Sequence, residues 1–471
     1  MDRLSTVEAS FLEAEDADRH LSMAIGALAV IDGPAPGHDE LIAALSDRLG
    51  RVTRLTQVVH QHPLQVAAPE LMVDNNFDIT HHVRWAVMPQ PANEAALFRT
   101  VTDLMERRLD RNHPLWECWI IEGLPERRWV ALLKIHHCLA DEVAAVRMLT
   151  SISDSGTGVL GELRVVEPVP PSKVSGRTVN PLGWARQIWR ASLIGADMAS
   201  QTAREAGEFV TGLLSPMGAL QRQGPVAGTR GYSAVRVPLK DVDTVCEVFG
   251  VTRNDVTLAA ITDSFRAVLL RHGRQPRRNS LLTLIPVSLG SPEPMDRIDI
   301  RASAMLPYLP VEQKDPVKRL RLIHARQNRT DESGAARTSD GLADHLPFML
   351  SAWGIRLLMR LPQRSIVTLA AYVPGPRQRL QVLGRPVEML LPIPPTAAPM
   401  STVVSTLSYV DDLVLGVTAD NDATPDADEI AGGIELGVAR LLARALARRR
   451  SGPKRVRPQG RPGSRSPGPR P

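Results

Sequence analysis

Hydrophobic and polar positions alternate along the first third of the chain with two periods, one typical of helices and one of strands. Helical spacing predicts helices over Thr6–Glu15 and Asp39–Leu49, and the apolar run LSMAIGALAVI predicts a strand over Leu21–Ile31. A second apolar run, WVALLKI, predicts a strand over Trp129–Ile135, and helical spacing follows it over Asp141–Leu149. These elements together predict an α/β fold for this part of the chain.

The same alternation of helix and strand patterns is found in the second half of the chain. The expected strands are Ser233–Val237, Leu281–Val287 and Ala302–Leu306. A hairpin follows, in which STVVSTLSYV and LVLGVTAD flank the turn pair Asp411-Asp412, and a closing helix is expected over Asp426–Ala447. Two α/β domains of similar character are therefore predicted.

A stretch rich in Ser, Gly and Pro separates the two α/β parts. Behind it, Trp184 and Ile188 recur at helical spacing. That helix either packs between the domains or lies in a lipid interface, with Arg186 and Arg190 beside its apolar face. We expect an N-terminal domain over residues 1–180, a helical linker over 181–228, a C-terminal domain over 229–447 and a disordered basic tail over 448–471.

Positive charge is concentrated at the C-terminus. The last 24 residues, RRRSGPKRVRPQGRPGSRSPGPRP, hold eight Arg and one Lys and no acidic residue. The formal charge of the whole chain is +5, so the other 447 residues carry about −4. A tail of Pro, Gly and Arg is typical of a solvated, disordered end, and its charge also suits an anionic lipid surface. We expect no nucleic acid as a partner.

Composition favours a protein that does not cross a membrane. No apolar run approaches the roughly 18 residues needed to span a bilayer. Acidic residues between Glu8 and Asp16 precede the first apolar stretch, whereas a secretory signal begins with basic residues. Cys118, Cys138 and Cys246 show no paired spacing, which favours a reduced compartment. We expect a cytoplasmic protein that touches a membrane or lipid-droplet surface peripherally.

The sequence KIHHCLADE places two histidines where a predicted strand gives way to a loop. Because side chains alternate along a strand, His136 and His137 should diverge, and only one can face a given cavity. This divergence argues against a metal-binding pair, and no third ligand with zinc spacing is evident nearby. An imidazole can take a proton from a hydroxyl at neutral pH, so one interpretation is a general base. In the alternative, His136 is a core histidine and Asp141 caps the following helix.

Cys138 adjoins the two histidines and permits a nucleophilic interpretation, because thiolates beside an imidazole acylate readily. The alternative is a small buried side chain without chemistry. We favour the buried side chain.

Segments in order along the chain resemble the bacterial wax ester synthase and acyl-CoA:diacylglycerol acyltransferase family, in particular its mycobacterial-type triacylglycerol synthases. The opening MDRLSTVEASFLEAED is similar to the family's opening, RLDRNHPLWECWIIEGL carries its Pro-Leu-Trp segment, and KIHHCLADE matches its HHxxxDG signature. VTRNDVTLAAI holds its Asn-Asp pair, and TLIPVS, YVPGP and LSYVDDLVLGVTAD follow in the expected order. The resemblance covers almost all of the chain before the tail.

The resemblance implies an α/β fold of two chloramphenicol-acetyltransferase-like domains with a tunnel between them. It implies that His137 is a general base, which takes the proton of an alcohol attacking the thioester of acyl-CoA. His136 then orients the motif, and Asp141 is structural, paired with Arg297 or Arg301. Acyl-CoA is a substrate, and diacylglycerol or another alcohol, fatty alcohols included, is the acceptor. The reaction needs donors for an oxyanion, and neither a metal nor a cofactor is expected.

The same resemblance places five residues at the substrate passage: Leu115, Trp116, Glu142, Asn254 and Asp255. Most of them also have a structural interpretation. The segment TRND fits a capping box at the start of a helix, and Leu115 and Trp116 fit core residues that anchor a loop.

Three positions depart from the family's pattern. Glu142 replaces the glycine that closes the HHxxxDG signature, and glycine permits close backbone approach. Ile300 and Tyr372 stand where the family commonly has asparagine, which removes two amides. The departures motivate one alternative, a lipid-binding or lipid-droplet-associated homologue with impaired catalysis. A second alternative, an acyltransferase for a polyketide-type alcohol, keeps the same base and changes the acceptor.

Overall fold

The computed structural model describes residues 2–17, 21–49, 52–61, 68–151, 153–154, 230–278, 282–288, 302–305, 309–333, 366–395, 402–420 and 427–451. The strands in these ranges are β1 (Asp2–Arg3), β2 (Ala24–Ile31), β3 (Gln57–His60), β4 (Glu70–Val73), β5 (Val83–Val87), β6 (Trp116–Glu122), β7 (Trp129–His136), β8 (Arg230–Pro238), β9 (Leu282–Ser288), β10 (Ala302–Met305), β11 (Ile366–Val373), β12 (Gln381–Val382), β13 (Arg385–Ile393), β14 (Thr402–Tyr409) and β15 (Asp412–Asp420). The helices are α1 (Thr6–Ala17), α2 (His38–Leu49), α3 (Glu94–Glu106), α4 (Glu142–Ser151), α5 (Leu239–Phe249), α6 (Arg253–Arg271), α7 (Pro316–Ser333) and α8 (Ala427–Ser451). Short 3-10 turns and the small sheet β1-β4-β3 complete the set.

The first six-stranded sheet has the order β12-β13-β2-β7-β6-β5. Its central strands β2 and β7 are buried at every position, as their nearly continuous apolar sequences require. They pair antiparallel, from Ala24 opposite His136 to Ile31 opposite Trp129. This register places the end of β7, where the histidine pair begins, beside the start of β2.

The second six-stranded sheet has the order β10-β9-β11-β14-β15-β8. The predicted hairpin is confirmed as β14 and β15, which pair from Thr402 opposite Ala419 to Tyr409 opposite Asp412. Helix α8 packs against β8 and β15 of this sheet, and α6 packs against α8. A Cβ atom at Gly437 of α8 would lie 2.9 Å from the Cα of Ala260 in α6, so glycine permits this helix crossing.

Strand β13 joins the first sheet although it lies in the second half of the sequence. It pairs antiparallel with β2, from Val387 opposite Ile31 to Ile393 opposite Gly26. The side-chain hydroxyl of Tyr232 in β8 donates a hydrogen bond of 3.0 Å to the carbonyl of Pro392. The two halves therefore share a sheet and a core. The domain boundary at residue 229 stays a prediction, and a sheet composed from both sides of it was not expected.

A cleft of about 410 Å³ lies between the two halves. Its lining includes Glu94 of α3, Arg236 of β8, Leu391 of β13 and Glu435 of α8. His137 does not line it, so we do not assign it to the substrate passage. The expected tunnel stays a prediction.

The expected disorder of the tail is wrong for its first residues, because α8 continues to Ser451. Arginine is a good helix former, and positive charge is favourable at a helix C-terminus. The guanidinium of Arg448 lies 5.5 Å from the ring centroid of Phe249, and that of Arg449 lies 2.6 Å from Glu247. The predicted linker 181–228, its Trp184 helix and residues 452–471 lie outside the described residues. Within the described ranges, no helix has the length and apolarity needed to span a bilayer.

Candidate active site

The two histidines of KIHHCLADE diverge as the strand pattern predicts. His136 ends β7 and is only 1% exposed, whereas His137, the first residue of the following turn, is partly exposed. Backbone hydrogen bonds fix both residues: the N–H of His136 donates to Leu115 O at 3.0 Å, and the N–H of His137 donates to Met23 O at 2.9 Å. Of the two imidazoles, that of His137 is therefore the one accessible to a substrate.

His136 accepts a hydrogen bond at one ring nitrogen and lies near a carboxylate at the other. Its Nδ1 accepts a hydrogen bond of 3.1 Å from the backbone N–H of Cys138, and its Nε2 lies 3.4 Å from Oε1 of Glu15 in α1. Burial lowers the pKa of His136, although the carboxylate of Glu15 opposes this effect. At neutral pH His136 is therefore neutral, which fits an orienting role better than proton transfer to a substrate.

Glu15 is a buried carboxylate that stays ionised. Burial raises its pKa, but His136, the backbone N–H of Met23 and Arg111 together outweigh burial and lower the pKa to about 2. The Met23 N–H donates to Oε1 at 3.0 Å, and the Arg111 guanidinium donates to Oε2 at 3.1 Å. Arg111 also lies 2.9 Å from Asp16, and Arg108 donates to the carbonyls of Glu15 and Leu21. These two arginines, which follow α3 in the chain, fix the C-terminal end of α1.

Phe11 covers one face of the His137 imidazole. The two ring centroids are 4.1 Å apart and the ring planes differ by 7°, so the rings are stacked. Phe11 and Glu15 are four residues apart in α1 and therefore lie on the same face of that helix. Helix α1 thus contacts both histidines.

Asp141 caps α4, as the structural interpretation expects. Its carboxylate accepts a hydrogen bond of 2.7 Å from the N–H of Ala144, and its own carbonyl accepts one from the N–H of Ala145 at 2.9 Å. Glu142 is the first residue of α4, and its side chain is not described. Arg297 and Arg301, the expected partners of Asp141, lie outside the described residues.

Cys138 is fully buried, and burial raises the pKa of its thiol. A thiol in that state supplies no thiolate at neutral pH. The favoured interpretation of Cys138 as a buried side chain is confirmed. Within the described part of the chain, no group of three His, Cys, Asp or Glu side chains is placed to hold a metal ion.

Leu115 and Trp116 are core residues beside the end of β7, where the histidine pair begins. Both are 1% exposed, and the carbonyl of Leu115 accepts the hydrogen bond from His136. The indole of Trp116 donates to Leu55 O at 2.8 Å, and the ring of His82 stacks on it with centroids 4.4 Å apart. The structure places these residues in the core, and their contact with substrate stays a prediction.

Asn254 and Asp255 lie in the first turn of α6, in the second half of the molecule. The predicted capping box is confirmed: the Asp255 carboxylate accepts the backbone N–H of Thr252 at 2.8 Å, and the Thr252 hydroxyl accepts the N–H of Asp255 at 3.1 Å. Asp255 is fully buried and also accepts a 2.8 Å contact from His324. These contacts account for Asp255 structurally, and a role in substrate binding stays a prediction for both residues.

Tyr372 lies in β11 opposite Thr406 of β14, and its side chain is not described. Ile300 lies outside the described residues. Their effect on the reaction therefore stays a prediction.

Sequence reasoning did not single out Glu15, Arg111 or Phe11 as site residues. In the sequence, Glu15 belongs to an acidic stretch, which is usual on an exposed helix face. A signal does exist in the pattern, because Phe11 and Glu15 share a helix face with the buried Leu12 nearby. Nothing local indicates which histidine that face meets.

Comparison with known proteins gives one consistent picture. Residues 4–257 match the wax ester synthase/diacylglycerol acyltransferase catalytic domain, and residues 301–441 match the C-terminal domain of the same family. The chain is 44% identical to a probable diacylglycerol O-acyltransferase of Mycobacterium tuberculosis (strain H37Rv) over 461 residues, 96% of this chain and 98% of that protein.

Two solved structures show a similar fold. The wax ester synthase/diacylglycerol acyltransferase from Marinobacter aquaeolei VT8 matches with a TM-score of 0.65 and 23% identity, covering 94% of this chain and all of that chain. The trichothecene 15-O-acetyltransferase from Fusarium sporotrichioides matches with a TM-score of 0.62 and 12% identity, covering 94% of each chain. These matches confirm the predicted acetyltransferase-like α/β fold.

Proposed function

Because the chain belongs to the wax ester synthase/diacylglycerol acyltransferase family, we propose that it is an enzyme that transfers a long-chain acyl group from acyl-CoA to an alcohol. The observation that carries this proposal is the accessibility of His137 beside the buried, neutral His136. An imidazole that is accessible, stacked on Phe11 and fixed through its backbone is suited to act as a general base.

In the proposed reaction, His137 takes the proton from the alcohol hydroxyl as the oxygen attacks the thioester carbonyl. The C–O bond of the ester forms and the C–S bond of the thioester breaks. The proton on the imidazole passes to the departing thiolate, so that free coenzyme A leaves as a thiol. His137 returns to its neutral state, and no electron is gained or lost.

We further propose diacylglycerol as the acceptor, with triacylglycerol as the product. The support is the name of the mycobacterial relative, which shares 44% identity with nearly the whole chain. A fatty alcohol or a polyketide-type alcohol would need the same base, so acceptors have to be compared directly.

The test is an acceptor series with one labelled long-chain acyl-CoA. The full chain is incubated with diacylglycerol, a long-chain fatty alcohol or a polyketide-type alcohol at equal concentration. Labelled ester and free thiol are both measured. We expect triacylglycerol to form fastest, with one thiol released for each ester. If another alcohol is esterified faster, that alcohol replaces diacylglycerol as the proposed acceptor. If no ester forms with any of the alcohols, the proposed acyltransferase activity is contradicted.

Glu142 motivates the second candidate, a lipid-binding homologue with impaired catalysis. The position of Glu142 makes this candidate less favourable, because Glu142 begins α4 and a helical residue does not require glycine. We expect Glu142→Gly to leave kcat little changed and to lower the free energy of unfolding by about 0.5–1 kcal/mol, since glycine is a poor helix former. Steady-state kinetics and urea denaturation measure both quantities. A large rise in kcat would instead favour the impaired homologue.

The basic C-terminus supports a peripheral contact with anionic lipid. We expect deletion of residues 452–471, which removes six positive charges, to weaken binding to anionic vesicles, since each Lys or Arg near such a surface contributes about 1 kcal/mol. Co-sedimentation at low and high salt measures the effect, with neutral vesicles as the control. A full chain with Arg448, Arg449 and Arg450 changed to Gln separates the helical arginines from the rest. Unchanged binding in both variants would assign the contact to another segment.

A further inference from the structure

Glu15 is connected to His137 through two short chains of contacts. In the first, its Oε1 accepts the N–H of Met23 at 3.0 Å, and the carbonyl of the same Met23 accepts the N–H of His137 at 2.9 Å. In the second, the same Oε1 lies 3.4 Å from Nε2 of His136, the residue next to His137. Oε1 of Glu15 therefore contacts Met23, whose carbonyl accepts the N–H of His137, and His136, whose ring accepts the N–H of Cys138 just after His137.

The contacts of His136 also determine where its proton lies. Because Nδ1 accepts the N–H of Cys138, Nδ1 carries no proton. A neutral His136 therefore carries its proton on Nε2, which faces the carboxylate of Glu15. His136 in this tautomer spans the turn, with Glu15 on one side and the backbone just after His137 on the other.

Stability alone does not explain a carboxylate at this position. Glu15 is 2% exposed, and a buried charge costs more in lost hydration than an apolar side chain of similar size. Arg111 has a second carboxylate partner, Asp16, at 2.9 Å, so it does not depend on Glu15 for an ion pair. Glu15, unlike Asp16, contacts Met23 and His136.

We propose that Glu15 is a positioning residue for the acyl-transfer reaction, holding the turn that carries His137 through both His136 and Met23. This inference rests on the proposed function, in which His137 accepts the proton. The stacking of Phe11 on His137 belongs to the same arrangement, because α1 presents both side chains from one face. Glu15 itself touches no reacting atom in this scheme.

The test compares Glu15→Gln with Asp16→Asn, a matched change on the same helix and the same arginine. A small displacement of a catalytic group lowers the rate without loosening substrate binding, so we expect Glu15→Gln to lower kcat by about 10- to 100-fold with KM little changed. Asp16→Asn should leave both near the parent values. Equal kcat in the two variants, or a loss confined to KM, would overturn the proposal.

Two further measurements cover the case in which Glu15→Gln unfolds or the parent shows no turnover. Glu15→Asp keeps the charge and the arginine partner but shortens the side chain, so kcat should fall while the unfolding midpoint stays close to that of the parent. In protein labelled with ¹⁵N-histidine, NMR should show the Nε2–H tautomer of His136 in the parent. The ring signals of His137 should change in Glu15→Asp but not in Asp16→Asn. An absent turnover would contradict the proposed function, whereas unchanged His137 signals would contradict the role of Glu15.

Discussion

Replacing His137 with alanine is expected to lower kcat for ester formation by about 10²- to 10⁴-fold, the usual contribution of a well-placed general base. Without the imidazole, the attacking alcohol has to lose its proton to water. KM should change little, because His137 acts on the hydroxyl in the transition state and not on the acyl chain. Steady-state kinetics with acyl-CoA and the preferred acceptor measure the effect.

A control is available in His38, an exposed histidine of α2 whose ring stacks on Trp85. His38→Ala removes an imidazole–aromatic stack comparable to that of His137 and Phe11 and should leave kcat unchanged. Because His137 is partly exposed, His137→Ala should also keep an unfolding midpoint close to that of the parent. Ester formation that survives His137→Ala in folded protein would remove His137 as the base.

The local elements were predictable because their apolar patterns are long and regular. The strand of WVALLKI is buried at every position in β7, and the helices at Thr6 and Asp39 begin within one residue of their expected starts. The capping box of TRND and the helix cap by Asp141 followed from side-chain chemistry at fixed spacing. Alternation along a strand also predicted that His136 and His137 diverge.

The long-range pairings were not predictable from one sequence. Strand β13 pairs with β2 across more than 350 residues of chain, and nothing in its apolar run specifies which sheet it joins. The same holds for Glu15, which lies more than 100 residues before His136. Acidic residues on a short helix favour solvent in general, so burial against a histidine becomes evident only in the folded structure.

The largest expected loss of stability lies in the second half of the molecule, at Asp263 of α6. Its carboxylate oxygens lie 2.5 Å from the guanidinium of Arg319 and 2.6 Å from that of Arg440. Arg319 is 1% exposed, and burial lowers its pKa while Asp263 opposes this effect. A third guanidinium, that of Arg266, donates to Val311 O at 2.6 Å and adds positive charge nearby.

Asp263→Asn should lower the free energy of unfolding by about 3–5 kcal/mol, because it leaves the charge of Arg319 buried without a carboxylate. Urea denaturation measures the change. The matched control is Asp243→Asn, which breaks the Asp243–Arg253 pair with both side chains more than a third exposed. That change should cost about 1 kcal/mol or less, since water screens exposed pairs.

A double variant, in which Arg319 is changed together with Asp263, shows whether the loss of stability comes from the unpaired charge or from a general loss of packing. If the unpaired charge is responsible, adding Arg319→Met to Asp263→Asn should recover part of the lost stability, because an apolar side chain needs no counter-charge. If packing is responsible, the second substitution should make the loss larger. A loss for Asp263→Asn no greater than that for Asp243→Asn would contradict the dependence of Arg319 on the Asp263 carboxylate, because the remaining neighbour Arg440, 54% exposed, is itself a cation and cannot balance the charge of Arg319.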